Sequence, residues 1–505
     1  MSSSSWGTAE PHLPILLVIV PLFGALLVTF LRRGILAWAL TLAVTFVLPL
    51  IAITLLAKVL QTGQPIIYEI GNWPAPIGIV YKVDQLSAYV LCVISVIGAV
   101  IMPFARRSIG AEIQESAQSW YYAVYLLCLT GLLGIVITGD AFNAFVFLEI
   151  SSLATYVLIA LGRHRRALLS AYQYLIMGTI GATLYIIGVG LLYVVTGTLN
   201  FDDMATRLGP AIADPGYRNA VLTALGFIFV GVSLKLALFP MHVWLPNAYA
   251  YAPSVATAFL AGTATKAAIY LFIRVIFSVF GIALAIDSLP IPLVLIVLSI
   301  AAMFLASFSA VFEEDAKRML AYSSIAQVGY IMLGVALANQ ASLTGSLAHI
   351  ANHAVMKTAL FLALGAVFYR IGSVMYADMA GIGRTMPLTM GAFAVAGIGL
   401  MGTPGTAGFI SKWYLGLGAI DAGHYSIVFM IVASSLISVI YIGRITEVVW
   451  FRAPSESAKT AKEAPLSMLI PLWLLAGATV YLGFDTQATV DVSAKAAEVL
   501  LGGIR

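Results

Sequence analysis

Long apolar runs follow one another almost end to end along this chain, separated by short stretches of turn-forming and charged residues. Runs of this length suit helices that cross a bilayer, which need about 20 apolar residues, and the alternating strands of a membrane barrel are absent. The pattern therefore predicts an all-α polytopic membrane protein with about 14 transmembrane helices. The predicted spans are 12–31, 34–57, 83–105, 120–138, 141–161, 168–196, 218–249, 251–280, 288–311, 318–339, 342–370, 386–420, 424–450 and 466–486.

The composition supports this fold class and excludes several functions. Of the 505 residues, 61% are hydrophobic and 10% are charged, whereas soluble domains carry about 25% charged residues. We therefore expect residues 1–505 to form a single transmembrane domain. The formal charge of +4 comes with no basic stripe that would indicate nucleic acid binding. Cys92 and Cys128 lie in apolar runs and indicate neither a disulfide framework nor a metal or iron–sulfur site.

Basic residues alternate between the two sides of the predicted bundle. Loops after odd-numbered spans are rich in lysine and arginine, whereas one loop after an even-numbered span carries Asp202, Asp203 and Asp214. By the positive-inside rule the arginine-rich loops face the cytoplasm, and an even number of spans places both termini outside. The basic residues that set this orientation are Arg32, Arg33, Arg106, Arg107, Arg163, Arg165, Arg166, Lys317, Arg318, Arg370, Arg384, Arg452, Lys459 and Lys462.

Two of the predicted spans contain a break. Span 7 reads SLKLALFPMHVWLP with Pro240 and Pro246, and span 12 reads GIGLMGTPGTAGFISKWYL with Pro404. Proline removes a backbone donor and clashes with the preceding turn, so we expect each helix to be interrupted there. Irregular backbone at membrane depth is tolerated where it is enclosed by protein or lines a watery cavity.

The two broken spans also indicate a duplicated unit, because interrupted segments in matching halves are typical of inverted repeats in transporters. We expect a first repeat over 118–280 and a second over 288–450, with flanking helices in 1–105 and 466–486. The alternative is that these prolines have no repeat-related meaning, since proline is common in membrane helices.

Five lysines lie inside or at the edge of apolar spans, where a charge at the bilayer centre costs about 2.5–3.5 kcal/mol. Lys317 follows an acidic cluster near the start of span 10, so we expect it to extend to the membrane interface. Lys235, Lys266, Lys357 and Lys412 have apolar residues on both sides. This setting favours proton or ion handling by the four lysines, and purely structural ion pairs are the alternative.

One carboxylate, Glu149, lies deep in an apolar span. A lone buried glutamate takes up a proton, whereas a lysine beside it keeps it ionised. Glu149 and Lys235 are therefore the natural candidate pair, on the hypothesis that span 5 lies beside span 7. Asp140 lies near the membrane edge and is expected to begin a helix.

Span 11 carries a stripe of titratable residues in HIANHAVMK. His349, His353 and Lys357 are four residues apart and share one helical face. Histidine titrates near neutral pH, so the stripe suits a proton relay, to which His242 beside Pro240 is a weaker addition. Zinc binding is the competing interpretation, although the HExxH glutamate and a nearby third ligand are missing from the sequence.

Several stretches resemble the antiporter-like membrane subunits shared by respiratory complex I and Mrp-type sodium/proton antiporters, and most of all the D subunits of the latter. The resemblance covers nearly the whole chain and depends on the stretches in combination. They are VDQLSAYVL (83–91), GDAFNAFVFLE (139–149), FPMHVWLPNAYAYAPS (239–254), KRMLAYSSIAQVGYI (317–331), HIANHAVMKTALFL (349–362) and GTPGTAGFISKW (402–413).

The resemblance implies a bacterial plasma-membrane subunit with fourteen helices and two inverted five-helix repeats. It implies a proton path made of an essential glutamate in helix 5, lysines in helices 7, 8 and 12, and histidines in helix 11. The matching residues are Glu149, Lys235, Lys266, Lys412, His349 and His353.

Function and partners follow from the same resemblance. An Mrp-type subunit would move protons to drive sodium export, together with other membrane subunits and without a cofactor or covalent chemistry of its own. A proton-pumping subunit of a complex I-like oxidoreductase or membrane-bound hydrogenase is the alternative. A structural scaffold whose buried charges only hold helices together is the second alternative.

The predicted orientation can be tested by labelling. A single cysteine placed between Arg163 and Arg166 should react with an impermeant thiol reagent only from the cytoplasmic side, and one near Asp202 only from outside. The measurement compares intact cells with everted vesicles, in a background that lacks Cys92 and Cys128. The reverse labelling pattern would overturn the topology.

Overall fold

The computed structural model describes residues 11–502, and almost all of this part of the chain is helical. The helices are α1 (Leu13–Thr29), α2 (Gly34–Thr62), α3 (Gln85–Val100), α4 (Met102–Glu112), α5 (Glu115–Ile137), α6 (Ala141–Ala160), α7 (Arg166–Thr196), α8 (Phe201–Ala213), α9 (Pro215–Leu236), α10 (Trp244–Tyr251), α11 (Ser254–Ile273), α12 (Ile291–Ala301), α13 (Ser307–Phe312), α14 (Ala316–Leu337), α15 (Gln340–Ile371), α16 (Tyr376–Met379), α17 (Pro387–Met401), α18 (Ala407–Asp421), α19 (Tyr425–Trp450), α20 (Glu456–Thr460), α21 (Leu466–Phe484) and α22 (Val492–Leu500). Two short strands, β1 (Ile66–Glu69) and β2 (Val80–Val83), pair antiparallel.

Many of these helices can cross a membrane. Within residues 11–502, eleven helical segments are long and apolar enough, and the bent pair of α3 and α4 would make a twelfth. Two of the eleven include π-helical turns: α11 continues to Phe280, and α12 runs into α13. α1 and α17 are shorter apolar helices. The all-α polytopic fold class is confirmed, whereas the number of about 14 spans and the two repeats stay predictions.

Both expected breaks are present. α9 ends at Leu236 with Ala237 in the left-handed region, and α10 begins at Trp244. α17 ends at Met401, followed by Gly402 at φ +86°, and α18 begins at Ala407. Pro246 does not interrupt a helix, because it lies in the first turn of α10, where no intrahelical partner is needed for its missing donor.

The structure differs from the predicted spans in a bend and in several short elements outside them. Span 3 is bent by 51° between α3 and α4, next to Pro103. The hairpin of β1 and β2 lies between the second and third spans, and α8 lies in the connection between α7 and α9. α22 follows the last predicted span. These short elements contain no long apolar run, so the hydrophobic pattern does not predict them.

Four long helices form the centre of the bundle. In α5, α11 with its extension, α14 and α15, between 72% and 89% of the apolar window is buried, against 56% or less in the other single-helix spans. A helix in this position is surrounded by protein rather than lipid, so it can carry polar side chains that find protein partners. Lys266, His349, His353 and Lys357 all lie on these central helices.

Close packing of α7 on α9 depends on two glycines that face each other. A Cβ at Gly231 would lie 2.6 Å from the carbonyl oxygen of Gly181, and one at Gly181 would lie 2.9 Å from that of Gly231. Only small residues let helix backbones approach this closely in a membrane. α9 carries Lys235 in its last turn, so this contact fixes the position of that lysine.

We predict that Gly231→Val forces α7 and α9 apart and destabilises the protein by about 1–3 kcal/mol, the usual cost of overpacking. Gly226→Val is the matched control in the same helix, because no atom lies within 4 Å of a Cβ at that position. The measurement is the thermal unfolding midpoint of the purified protein in detergent. Equal midpoints for the two variants would contradict this account of the contact.

Candidate functional site

Lys235 lies beside Glu149, as hypothesised from the sequence. Its Nζ is 3.8 Å from Oε1 of Glu149 and donates a hydrogen bond of 2.6 Å to Oγ of Ser152. The lysine side chain is only 4% exposed, whereas that of Glu149 is 26% exposed. Glu149 is thus less deeply buried than expected, because it lies at the edge of the face that α6 presents to the bundle.

Local backbone structure positions this lysine. Lys235 lies in the last turn of α9, immediately before the break, and Gly178 of α7 leaves the space into which its side chain extends. A Cβ at Gly178 would lie 3.4 Å from Nζ of Lys235. On the other side of the break, Nε1 of Trp244 donates to the carbonyl of Leu234, which satisfies one of the acceptors that the helix end exposes.

Lys266 is fully buried in α11. Its Nζ donates to the carbonyl oxygen of Ala261 at 2.5 Å and to Oγ1 of Thr265 at 3.3 Å. Between Lys235 and α11 lies a cavity of about 20 Å³, lined by Ser152 and Ala264 among others, which is enough for about one water molecule. A hydroxyl group and this small space therefore lie between the first lysine and the helix that carries the second.

The histidine stripe of α15 is buried as a unit. The rings of His349 and His353 are stacked, with centroids 5.8 Å apart. The ring nitrogens of His349 contact Oγ of Ser411 at 2.7 Å and Oε1 of Gln327 at 2.9 Å. Neither ring nitrogen of His353 has a hydrogen-bond partner among the described residues.

Lys357 continues the stripe. It is fully buried, and its Nζ donates to the carbonyl oxygen of Leu320 in α14 at 2.8 Å. The ammonium groups of Lys266, Lys357 and Lys412 form no ion pair with any carboxylate of residues 11–502. Backbone carbonyl oxygens take that place for all three, and Lys266 and Lys412 also donate to a hydroxyl oxygen.

Lys412 folds back on the second break. Its Nζ donates to the carbonyl oxygens of Leu400 at 3.1 Å and Met401 at 3.2 Å, which are the last two residues of α17. It also donates to Oγ of Ser435 at 3.1 Å and lies 4.7 Å from the ring centroid of Tyr330. The break thus supplies the acceptors that make a buried ammonium tolerable.

A partly open cavity of about 430 Å³ lies next to Lys412, between α18 and α19. Most of its lining is apolar, including Pro404, Phe409 and Leu436, with Thr403 and Ser435 as polar members. Lys412 therefore borders a large cavity, whereas the space found beside Lys235 holds about one water molecule.

Lys317 corrects one prediction. Its side chain does not extend into solvent, because only 3% of the residue is exposed and its Nζ donates to Oγ of Ser254 at 3.1 Å. Two acidic residues lie near this lysine, Asp315 and Glu112, and Oε2 of Glu112 accepts from the backbone N–H of Ser254 at 3.0 Å. Lys317 and Glu112 both line a cavity of about 680 Å³ with Arg163 and Arg166, on the arginine-rich side.

His242 lies apart from the other candidates. It is half-buried within the first break and stacks on Phe239, with ring centroids 5.2 Å apart. Asp140 begins α6 as expected, since its carboxylate accepts from the backbone N–H of Asn143 at 2.7 Å. No group of three metal-ligating side chains occurs within residues 11–502.

Sequence reasoning missed the uncharged partners of the charged residues. Ser152 could have been found, because it lies three residues after Glu149 and so shares its helical face. Gln327 also stands out as an amide within an apolar span. Ser411 and Ser435 give no such signal, since hydroxyl side chains are frequent in membrane helices, where they bond to the backbone or across helices.

Comparison with known proteins gives concordant similarities. Residues 138–438 match the family described as NADH:quinone oxidoreductase/Mrp antiporter, TM. The chain is 40% identical to NADH-quinone oxidoreductase subunit N of Desulforudis audaxviator, over 95% of this chain and 97% of the relative. It is 30% identical to the D subunit of the Na⁺/H⁺ antiporter of Alkalihalophilus pseudofirmus, over 97% of both. A chain in the structure of the Mrp complex from Dietzia sp. DQ12-45-1b superposes with a TM-score of 0.89, at 26% identity and 98% coverage of both chains.

Proposed function

The chain belongs to the NADH:quinone oxidoreductase/Mrp antiporter family of transmembrane proteins, and from this premise we propose that it is the proton-conducting subunit of a multisubunit sodium/proton antiporter of the Mrp D type. It is a multi-pass membrane protein and works with other membrane subunits. In this role it conducts protons and carries out no covalent chemistry.

The Glu149–Lys235 pair carries the proposal. The two groups carry opposite charges and lie 3.8 Å apart in an apolar setting, so they attract each other. When the pair separates, the lysine ammonium loses its partner in an apolar setting and releases its proton more readily. Ser152, which already accepts a hydrogen bond from Lys235, is placed to relay that proton: its Oγ takes the proton from Nζ while its own hydroxyl proton passes to water in the adjoining cavity.

The remaining candidates continue the path in the proposal. Lys266 comes next, and the stacked pair of His349 and His353 follows. Ser411 supports a connection between this pair and α18, because its hydroxyl contacts His349 and it lies one residue before Lys412. Lys412 is then the last residue of the path, at the cavity beside the second break. Lys357 and His242 are auxiliary members.

A second candidate function is favoured by one observation. The 40% identity to a relative named NADH-quinone oxidoreductase subunit N fits a proton-pumping subunit of a complex I-like oxidoreductase or a membrane-bound hydrogenase. Proton conduction is common to both proposals, and they differ in the driving reaction. Sodium-dependent proton exchange by the purified complex supports the antiporter, whereas proton transport that needs electron transfer supports the second candidate.

We predict that Glu149→Gln lowers proton-coupled transport by about 100-fold or more, as expected for a positioned proton-transfer pair, while the protein still inserts. The measurement is dissipation of a pH gradient in everted vesicles at matched expression. Glu447→Gln is the control, because that carboxylate is 49% exposed and pairs with Arg452 on the surface. Near-normal exchange by the Glu149 variant would refute its central role and leave the scaffold interpretation.

We predict that Lys412→Ala assembles with its partner subunits but conducts poorly, while Lys412→Glu retains part of the transport. A purely structural lysine would be needed for assembly, whereas a conducting one can be replaced in part by another group that binds and releases protons. Native gels measure assembly and vesicle assays measure transport, with surface Lys459→Ala as the control. Failure of Lys412→Ala to assemble, or its full activity, would exclude Lys412 from the path.

A further inference from the structure

The outer end of α11 carries a buried ion pair that the proton path does not use. Arg274 and Asp84 form two contacts, Nη1 to Oδ2 at 2.7 Å and Nη2 to Oδ1 at 2.8 Å. Each side chain is only 9% exposed. Such a planar, two-point contact fixes the guanidinium in one orientation, and the guanidinium stays charged at all physiological pH values.

This pair lies in line with Lys266. Lys266, Tyr270 and Arg274 are four residues apart on the same face of α11 and its π-helical extension. The hydroxyl oxygen of Tyr270 accepts from Nε of Arg274 at 3.2 Å and from Nη2 at 3.1 Å. Lys266 itself points to the preceding turn at Ala261, away from the arginine. A phenol and a guanidinium therefore stand between Lys266 and the end of the helix.

The space beyond the pair is nearly closed. Arg274 and Tyr270 border a cavity of only about 10 Å³, which is at the lower limit for one water molecule. Its rim is formed by Lys82 and Asp202, which are joined by a surface ion pair of 2.7 Å. By the arrangement of basic loops this is the outer side of the membrane, opposite Arg163 and Arg166.

We propose that the Asp84–Arg274 pair is an electrostatic seal that closes the first half of the proton path to the outside. A guanidinium is not deprotonated at physiological pH, so it interrupts a proton relay, and its charge disfavours the entry of a further cation even though Asp84 offsets part of it. Asp84 holds the guanidinium across the passage, and the Tyr270 ring fills the space behind it. Coupled exchange requires such a barrier, because a proton that escaped from Lys266 directly to the outside would bypass Lys412. The inference rests on the proposed function.

The sharpest test removes both charges together. Breaking one partner leaves an unpaired buried charge, whereas replacing a whole buried pair is often tolerated, so the test variant is Asp84→Asn with Arg274→Gln. The complete complex is reconstituted into liposomes without a transportable cation, and the decay of an imposed pH gradient is followed. We expect the decay to be about tenfold faster than in the wild type, a lowering of the barrier by about 1.4 kcal/mol.

Three variants serve as controls. Arg274→Lys keeps the positive charge and should remain tight. Asp203→Asn with Arg207→Gln removes a surface ion pair of 2.8 Å on the same side and should also remain tight. Adding Lys266→Ala to the leaking variant should stop the leak, because the proton would no longer reach the opened passage.

Several results would overturn the seal. If the neutral variant assembles and shows no faster decay, the pair only holds helices together. If the leak persists with Lys266→Ala, the leaking protons do not come from the proposed path. If the neutral variant does not assemble, Asp84→Leu with Arg274→Met replaces it, and failure of both makes the pair a requirement of the fold. Loss of the proposed function would show separately, as unimpaired exchange by Glu149→Gln.

Discussion

A buried ammonium group needs oxygen atoms, and an apolar helix bundle offers few of them. The proposed proton path depends on this constraint, because an ammonium group without acceptors at membrane depth is costly. Lys235 has a carboxylate and a hydroxyl, whereas Lys266 and Lys357 take carbonyl oxygens from helix backbones. Lys412 uses the carbonyls that α17 leaves unpaired where it ends. The break in this helix therefore supplies the acceptors that the buried ammonium beside it needs.

The two broken helices supply acceptors to their lysines in different ways. In the first, the lysine precedes the break, its ammonium faces a carboxylate, and Trp244 occupies a free carbonyl at the helix end. In the second, the lysine follows the break and takes the free carbonyls itself. A carboxylate can move away and change the charge balance of its partner, whereas a helix end is fixed. We infer that switching belongs to Glu149 and Lys235, and that Lys412 responds to the protons it receives.

The sequence predicted the features that depend on local covalent structure. Pro240 and Pro404 lie in helix breaks, and a proline interrupts a helix whatever that helix packs against. Glu149 is the one carboxylate predicted deep in an apolar span, so it was the natural candidate partner for Lys235. The burial of Lys317 could not be predicted, because it depends on Ser254, a residue 63 positions away at the start of another helix. Gln327 and Ser411 became recognisable as supports of His349 only once three helices were placed together.

The partial exposure of Glu149 bears on how the protein should be handled. Its side chain is 26% exposed on α6, eight residues into the helix, or about 12 Å from its start. In a chain extracted without its neighbours, detergent tails meet a carboxylate at this depth, and water drawn to it would weaken the attraction across 3.8 Å. Spectroscopy or titration on the solitary chain would then report a loosened pair. Purification in lipid nanodiscs with the accompanying subunits preserves the setting in which the pair operates.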